Sequence, residues 1–273
     1  MGSEMCIRDS FRTGRLYGYR HSHDHLLIFV MSTTRRIALI GFLICGGWWS
    51  CLPNAAFAQG LQITPILIEL MPGQMTTTLM VTNRGADATA LQVRPFKWTQ
   101  IGGIDQLTPT SELVISPPII GIGLGQSQTF RILLRHTAVG AESSYRLLLD
   151  QLPPPGAPGT VRVALRFSIP VFAEASTRTE SNLAWRISAG ADGDFLIAAN
   201  RGGRHVRVIN PVLSQQDGER LVGQQTTSPY ILPGSEQRWQ IHPKSQLQRD
   251  SSWHLVAISD AGPVDAVVHV TGP

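Results

Sequence analysis

The sequence predicts an all-β protein made of two β-sandwiches in tandem. Short stretches with alternating apolar and polar residues recur along the chain, and turns rich in glycine, proline and asparagine separate them. No stretch of ten or more residues has a convincing helical period. The second half repeats the first weakly: the triplet Asn-Arg-Gly closes an apolar stretch at 83–85 and again at 200–202.

The composition is that of a folded chain with many turns. The 273 residues are 42% hydrophobic and 15% charged, and they include 26 glycines and 18 prolines. A disordered chain would carry fewer apolar and more charged residues, so this class is excluded.

The N-terminal residues predict export. Residues 31–58 have a charged start, a short apolar run and an Ala-Phe-Ala cleavage site, which together are typical of a signal peptide. Residues 1–30 are expected to be a spurious extension. All three cysteines, six of the 23 basic and three of the 19 acidic residues lie in 1–58, so the mature chain has 17 basic and 16 acidic residues and no disulfide. Its charge is therefore no argument for binding nucleic acid.

The mature chain begins with a series of predicted strands. Pro65 interrupts the first, which predicts an edge strand or a strand that changes sheet. Pro95 breaks the alternation of the third. The predicted strands cover approximately residues 61–70, 75–83, 88–98, 113–116, 129–134 and 144–151.

The longest alternating stretch, 160–172, predicts a strand that ends the first domain. Its apolar positions fall on every second residue, and Pro170 removes one backbone donor near its end. A strand of this kind is expected to lie at an edge, where unpaired backbone groups are available to another chain. The alternative is that it is simply the longest strand of an ordinary sandwich. The expected domains are residues 59–173 and a smaller one, 174–273.

No pattern in the sequence predicts catalysis. The chain lacks nucleophile-elbow, phosphate-loop and zinc-helix motifs, and its mature histidines lack the spacing of metal ligands. We therefore expect no enzymatic activity, no cofactor and no metal ion.

Several motifs in residues 60–273 resemble one family, the PapD-like periplasmic chaperones of chaperone–usher pili. They are Thr-Pro at 64–65, Ser-Pro-Pro at 116–118, Leu-Pro-Pro at 152–154, the long stretch at 163–172, and Asn-Arg-Gly followed by Arg-His-Val-Arg-Val at 200–208. The amino-acid sequence of these motifs is most similar to the branch of the family that serves spore-coat-U-type pilins of archaic pili. The resemblance implies two immunoglobulin-like domains in a boomerang arrangement.

The resemblance also implies a mechanism, in which the chaperone lends its long edge strand to a pilin that lacks one strand. The implied partners are pilin subunits with an incomplete immunoglobulin-like fold and an outer-membrane usher, with no nucleic acid and no stable membrane insertion. The implied location is the periplasm. By position, the donated side chains are Val161, Val163, Leu165, Phe167 and Ile169.

The anchor for the client's C-terminal carboxylate departs from the family pattern. The family's basic positions align with Leu67 and Pro170, neither of which carries a charge. The nearest basic candidates are Arg146 and Arg166, and a guanidinium suits a carboxylate. The alternative is that both are solvated surface residues.

The contact between the domains departs as well. Glu142 matches an acidic residue that helps to orient the domains in the family, but Glu174 stands where the usual arginine partner lies. The sequence therefore leaves the domain contact open.

Two other functions remain alternatives. An exported immunoglobulin-like adhesion or structural pilus component would share the fold, but it gives no reason for a long edge strand. A secreted enzyme or carbohydrate-binding module would need clustered acids or an aromatic platform, which the sequence does not show.

Overall fold

The structure is a computed structural model that describes residues 60–152, 163–215, 218–224 and 228–271. In these ranges every regular element is a β-strand, which confirms the predicted all-β class and its two-domain architecture. Among the same residues no helix is long and apolar enough to cross a membrane. The predicted extension and signal peptide, residues 1–58, lie outside the described residues.

The first ten strands form the first sandwich. They are β1 (Leu61–Thr64), β2 (Ile68–Leu70), β3 (Thr76–Asn83), β4 (Thr89–Ile101), β5 (Ile104–Pro109), β6 (Leu113–Ser116), β7 (Ile119–Ile122), β8 (Ser127–Leu134), β9 (Ser143–Leu152) and β10 (Arg166–Ala173). One sheet has the order β1-β3-β8-β6, and the other has the order β2-β10-β9-β4-β5 with β7 beside β4. The second of these sheets carries most of the candidate site.

The first predicted strand changes sheet, as Pro65 indicated. β1 pairs with β3 in the four-stranded sheet, whereas β2 pairs in parallel with β10 in the other sheet. Pro65 lies between the two strands and has no backbone N–H to donate, so the ladder is interrupted there at little cost. The crossing places β2 beside the end of β10.

The core of the first sandwich lies between its two sheets. β3 and β8 contribute Leu79, Val81, Phe130 and Ile132, which are at most 1% exposed. The inner residues of β9 and β10 pack against them from the other sheet. Because the chain has no cysteine after residue 58, this packing replaces the disulfides that small exported domains often use.

The last eight strands form the second sandwich. They are β11 (Leu183–Ser188), β12 (Asp194–Asn200), β13 (Val206–Ser214), β14 (Arg220–Val222), β15 (Tyr230–Ile231), β16 (Glu236–Ile241), β17 (Ser252–Ser259) and β18 (Gly262–Thr271). Their order is β14-β13-β17-β18-β11-β12-β16, with β15 beside β13. Trp239 and Trp253 lie in its core, together with the inner aliphatic residues of β12, β13 and β17.

Candidate functional site

β10 has an open edge along most of its length. It pairs with β9 from Arg166 to Ala173, but on its other side β2 covers only Val171–Ala173. Within the described ranges, residues 166–170 therefore have hydrogen-bonded neighbours on one side only. A second chain could pair with this edge as an added strand.

The boundaries predicted for the long strand differ from those in the structure. β10 begins at Arg166, not at residue 160, and the described residues 163–165 are exposed and belong to no strand. One hydrogen bond, from the Gln151 N–H to the Leu165 carbonyl (2.9 Å), continues the pairing beyond β10. Residues 160–162, including Val161, lie outside the described residues.

The five predicted donor residues have different surroundings. Val163 is 77% exposed and Leu165 is 40% exposed. Phe167 is half-buried and packs on the first core, whereas Ile169 is 4% exposed and lies inside that core. In this conformation Ile169 fills the interior of its own sandwich, so its donation to a client stays a prediction. One face of a single alternating stretch therefore divides into a buried half and an exposed half.

Arg146 lies directly opposite Pro170, in register, on the neighbouring strand β9. Opposed residues in adjacent strands project on the same face, so Arg146 stands next to Pro170, the second position that the resemblance aligned with a basic residue. Its side chain is 13% exposed, and its guanidinium carbon lies 3.7 Å from the centre of the Trp98 ring. This cation–π contact holds the guanidinium over the sheet.

The polar surroundings of Arg146 are sparse. Burial lowers its pKa, and the charge of Asp105 partly opposes this shift. Its nearest acid, Asp105, has Oδ2 at 3.9 Å, beyond hydrogen-bonding distance. Among the described residues, no hydrogen bond satisfies this guanidinium. The buried indole N–H of Trp98 has no partner there either.

Arg166, the second predicted anchor, is already engaged. It lies opposite Asp150 in register, donates from Nε to Asp150 Oδ1, and has a side chain that is 62% exposed. Asp150 Oδ2 also accepts from Arg94 at 2.6 Å. The carboxylate of Asp150 thus already accepts a hydrogen bond from Arg166 and would compete with the carboxylate of a client.

This cluster predicts a measurable pH dependence. Burial acts to raise the pKa of Asp150, but its bonds to Arg166 and Arg94 outweigh burial, so the pKa lies below its ordinary value. The stabilisation is therefore present above the unfolded-state pKa and is lost as the pH falls through the lower folded-state value. Urea unfolding between about pH 6 and about pH 2.5 should show a smaller loss of stability for Asp150→Asn than for wild type. An equal loss in the two proteins would contradict this assignment.

An apolar cluster joins the two sandwiches next to Arg146. Trp98 and Phe172 of the first sandwich contact Tyr230 and Leu232 of the second, with Leu67 at the margin. Leu67 is one of the two positions that the family resemblance aligned with a basic residue, and its surroundings here are apolar, which disfavours a charge.

The polar contact between the sandwiches comes from two residues that the sequence did not single out for it. Arg204 pairs with Glu174 (3.3 Å) and Glu69 (2.9 Å), and His205 lies 2.8 Å from Glu142. The His205 ring also stacks on Phe172 at 3.5 Å. The resemblance led us to expect an arginine at position 174, but Glu174 stands there. Arg204 of the second sandwich supplies the positive charge instead. In the sequence, the Asn-Arg-Gly-Gly-Arg-His segment at 200–205 indicated an internal repeat and a family motif, but not a contact between the domains.

Gln100 adds a third link. Its Nε2 donates to the Tyr230 carbonyl (2.8 Å) and to Asp105 Oδ1 (2.9 Å), and its Oε1 accepts from the Leu232 N–H (3.0 Å). One buried amide therefore connects β15, β5 and the residue after β15. Over the described ranges, no group of three potential ligand side chains could hold a metal ion.

Tandem sandwiches with an open edge strand are typical of proteins that bind an extended segment by strand addition. Residues 60–176 match the sequence profile of the family described as pili and flagellar-assembly chaperone, PapD N-terminal domain. This match spans the first sandwich and confirms the predicted resemblance to PapD-like chaperones. The family consists of non-enzymatic chaperones of the periplasmic chaperone–usher pathway.

Solved structures share the fold. One is the CsuC–CsuE chaperone–tip adhesion subunit complex from archaic Csu pili of Acinetobacter baumannii, with 23% identity, 78% of this chain and 99% of that chain covered, and a TM-score of 0.57. The Escherichia coli chaperone DraB has 17% identity, coverage of 76% and 98%, and a TM-score of 0.53. The Salmonella enterica SafA pilin–SafB chaperone complex has 15% identity, coverage of 78% and 96%, and a TM-score of 0.53. A comparison with curated protein sequences found no match.

Proposed function

We propose that this chain is a periplasmic chaperone that binds pilus subunits, completes their fold with its own edge strand, and delivers them to an outer-membrane usher. It acts by binding alone, without a catalytic step. The clients are pilins with an incomplete immunoglobulin-like fold, of the kind found in archaic pili. The observation that carries the proposal is the open edge of β10, which continues into the exposed Val163 and Leu165.

The edge provides two sources of affinity. Among the described residues, the backbone groups of 166–170 have no strand neighbour on one side, where a client strand could pair and fix its direction and register. Val163 and Leu165 add apolar surface at alternate positions. Full burial of an exposed side chain of this size contributes about 1.5–3 kcal/mol, and the gain is smaller for Leu165, which is already partly covered. Phe167 lies where the internal core meets this exposed part.

Arg146 is the better of the two candidates for anchoring the client's terminal carboxylate. It stands opposite Pro170, near the end of β10 that meets the second sandwich, and its donors have no hydrogen-bond acceptor in the described part of the chain. Arg166 lies four residues earlier, about 13 Å away along the strand, and is paired with Asp150. A carboxylate at Arg146 would fix the client's register along the open edge.

The experiment is co-expression of the full chain with pilins encoded beside its gene, followed by pull-down from the periplasm. Leu165→Glu places a charge where the client groove requires an apolar side chain, so recovery of pilin should fall at least tenfold. Leu124→Glu is the matched control, because Leu124 is 63% exposed in a turn away from β10. It should leave recovery unchanged.

Two outcomes would contradict the proposal. If no pilin is recovered with wild-type protein that is folded in the periplasm, the chain is not a chaperone for these clients. If Leu165→Glu binds as well as Leu124→Glu, β10 is only a structural strand. An adhesion or pilus component would then be the better assignment.

A further inference from the structure

We propose that Asp105 is an internal competitor at the anchor: it holds Arg146 loosely in the free protein and competes with the carboxylate of a bound client. This inference rests on the proposed function, since it concerns the same anchor. It assigns an internal competitor to a site that would otherwise accept any carboxylate.

The distances show that Asp105 is a weak partner for Arg146. Its Oδ2 lies 3.9 Å from the guanidinium, whereas Asp150 is hydrogen-bonded to both Arg166 and Arg94. The Asp105 side chain is 27% exposed and that of Arg146 is 13% exposed. The acid is therefore close enough to neutralise the guanidinium, but too far to occupy its donors.

The site holds more donors than acceptors. A guanidinium has five N–H donors, and within the described residues none of those of Arg146 is hydrogen-bonded. Trp98 is 1% exposed, and its indole N–H also has no acceptor among the described residues. A carboxylate with two free oxygens would bind the guanidinium in a bidentate manner, which Asp105 does not do.

Asp105 can move its Oδ2 away from Arg146 without losing its hydrogen bond to Gln100. Its Oδ1 accepts from Gln100 Nε2 at 2.9 Å, and this bond does not involve Arg146. Gln100 in turn bonds to Tyr230 and Leu232 of the second sandwich. Displacement of Oδ2 from Arg146 therefore leaves Asp105 attached to the residue that links the sandwiches, ready to return when the client leaves.

The test uses the exported protein and two probes. The first is sodium acetate, titrated while the Trp98 indole N–H resonance is followed by NMR, which needs no pilin. Asp105→Asn should lower the acetate concentration for half-maximal shift about three- to tenfold, because the competing charge is removed while the bond to Gln100 is retained. Asp105→Glu, which keeps the charge, should stay within about twofold of wild type, and Arg146→Ala should abolish the shift.

The second probe is the co-expressed pilin, whose dissociation rate from Asp105→Asn should be lower by a similar factor. Asp87→Asn is the control for net charge, since Asp87 is exposed in a loop of the first sandwich. If Asp87→Asn slows dissociation of the pilin equally, the effect comes from the net charge of the protein and the inference fails. An unchanged acetate titration in Asp105→Asn would also overturn the inference. If pilin binds none of the variants but the acetate shifts follow the expected order, the proposed function fails and the competition by Asp105 stands.

Discussion

Replacing Arg146 by alanine should weaken binding of the client about a hundredfold, or about 2.7 kcal/mol, while the protein stays folded. The loss is large because the client's terminal carboxylate would remain in a partly buried place without its cation. Asp105 would also lose the positive charge of Arg146, its ion-pair partner among the described residues, and would repel the client. The measurement is the dissociation constant of the purified complex at two salt concentrations.

The salt dependence distinguishes an anchor from a general effect of charge. A half-buried pair is screened less than a surface pair, so the hundredfold loss should persist at higher ionic strength. Arg131→Ala is the control, because Arg131 is exposed on β8 in the opposite sheet. If the two variants lose affinity equally, or if Arg146→Ala loses none, Arg146 is not the anchor.

Replacing Phe172 by alanine should destabilise the protein by about 3–5 kcal/mol, the usual cost of removing a buried phenylalanine. The residue is fully buried, and its ring contacts those of Trp98, His205 and Tyr230 across the two sandwiches. The cavity would open between the sandwiches rather than inside one of them. We therefore expect urea unfolding to separate into two transitions, because the second sandwich loses part of its contact with the first.

Phe172→Leu provides the comparison for this variant. Leucine keeps most of the apolar volume, so the loss of stability should stay under about 1.5 kcal/mol and unfolding should remain a single transition. Fluorescence of the tryptophans and far-ultraviolet circular dichroism, followed in the same titration, report the two events. A single transition in Phe172→Ala, with a loss below about 1 kcal/mol, would show that the cluster does not couple the sandwiches.

Much of the fold follows from local pattern. Alternation over two residues identified β3, β8 and β9, since a strand with one face in a core must repeat with that period. Pro65 indicated the sheet change of the first strand because proline cannot continue a ladder. The long stretch at 160–172 was identified as a strand, but its start was not, because exposed and buried apolar residues alternate in the same way.

The site was only partly accessible to the same reasoning. The sequence did not distinguish between Arg146 and Arg166 as the anchor for the client's carboxylate, since both lie in predicted strands near the expected position. Register separated them: Arg166 faces Asp150, and Arg146 faces Pro170. Gln100 and Asp105 carried no signal at all, because a polar residue near a turn is ordinary until its partners are known.

The sequence by itself determined the class of this protein, since the period of its strands, its turn residues and its family motifs are all local properties. It also determined which stretch could serve as a donor strand. Only the tertiary structure decided which half of that stretch is exposed, because the core takes Ile169 and leaves Val163 and Leu165 outside. It likewise decided that Arg204 and His205 supply the contact between the sandwiches. Such pairings join residues far apart in the chain, and no periodicity records them.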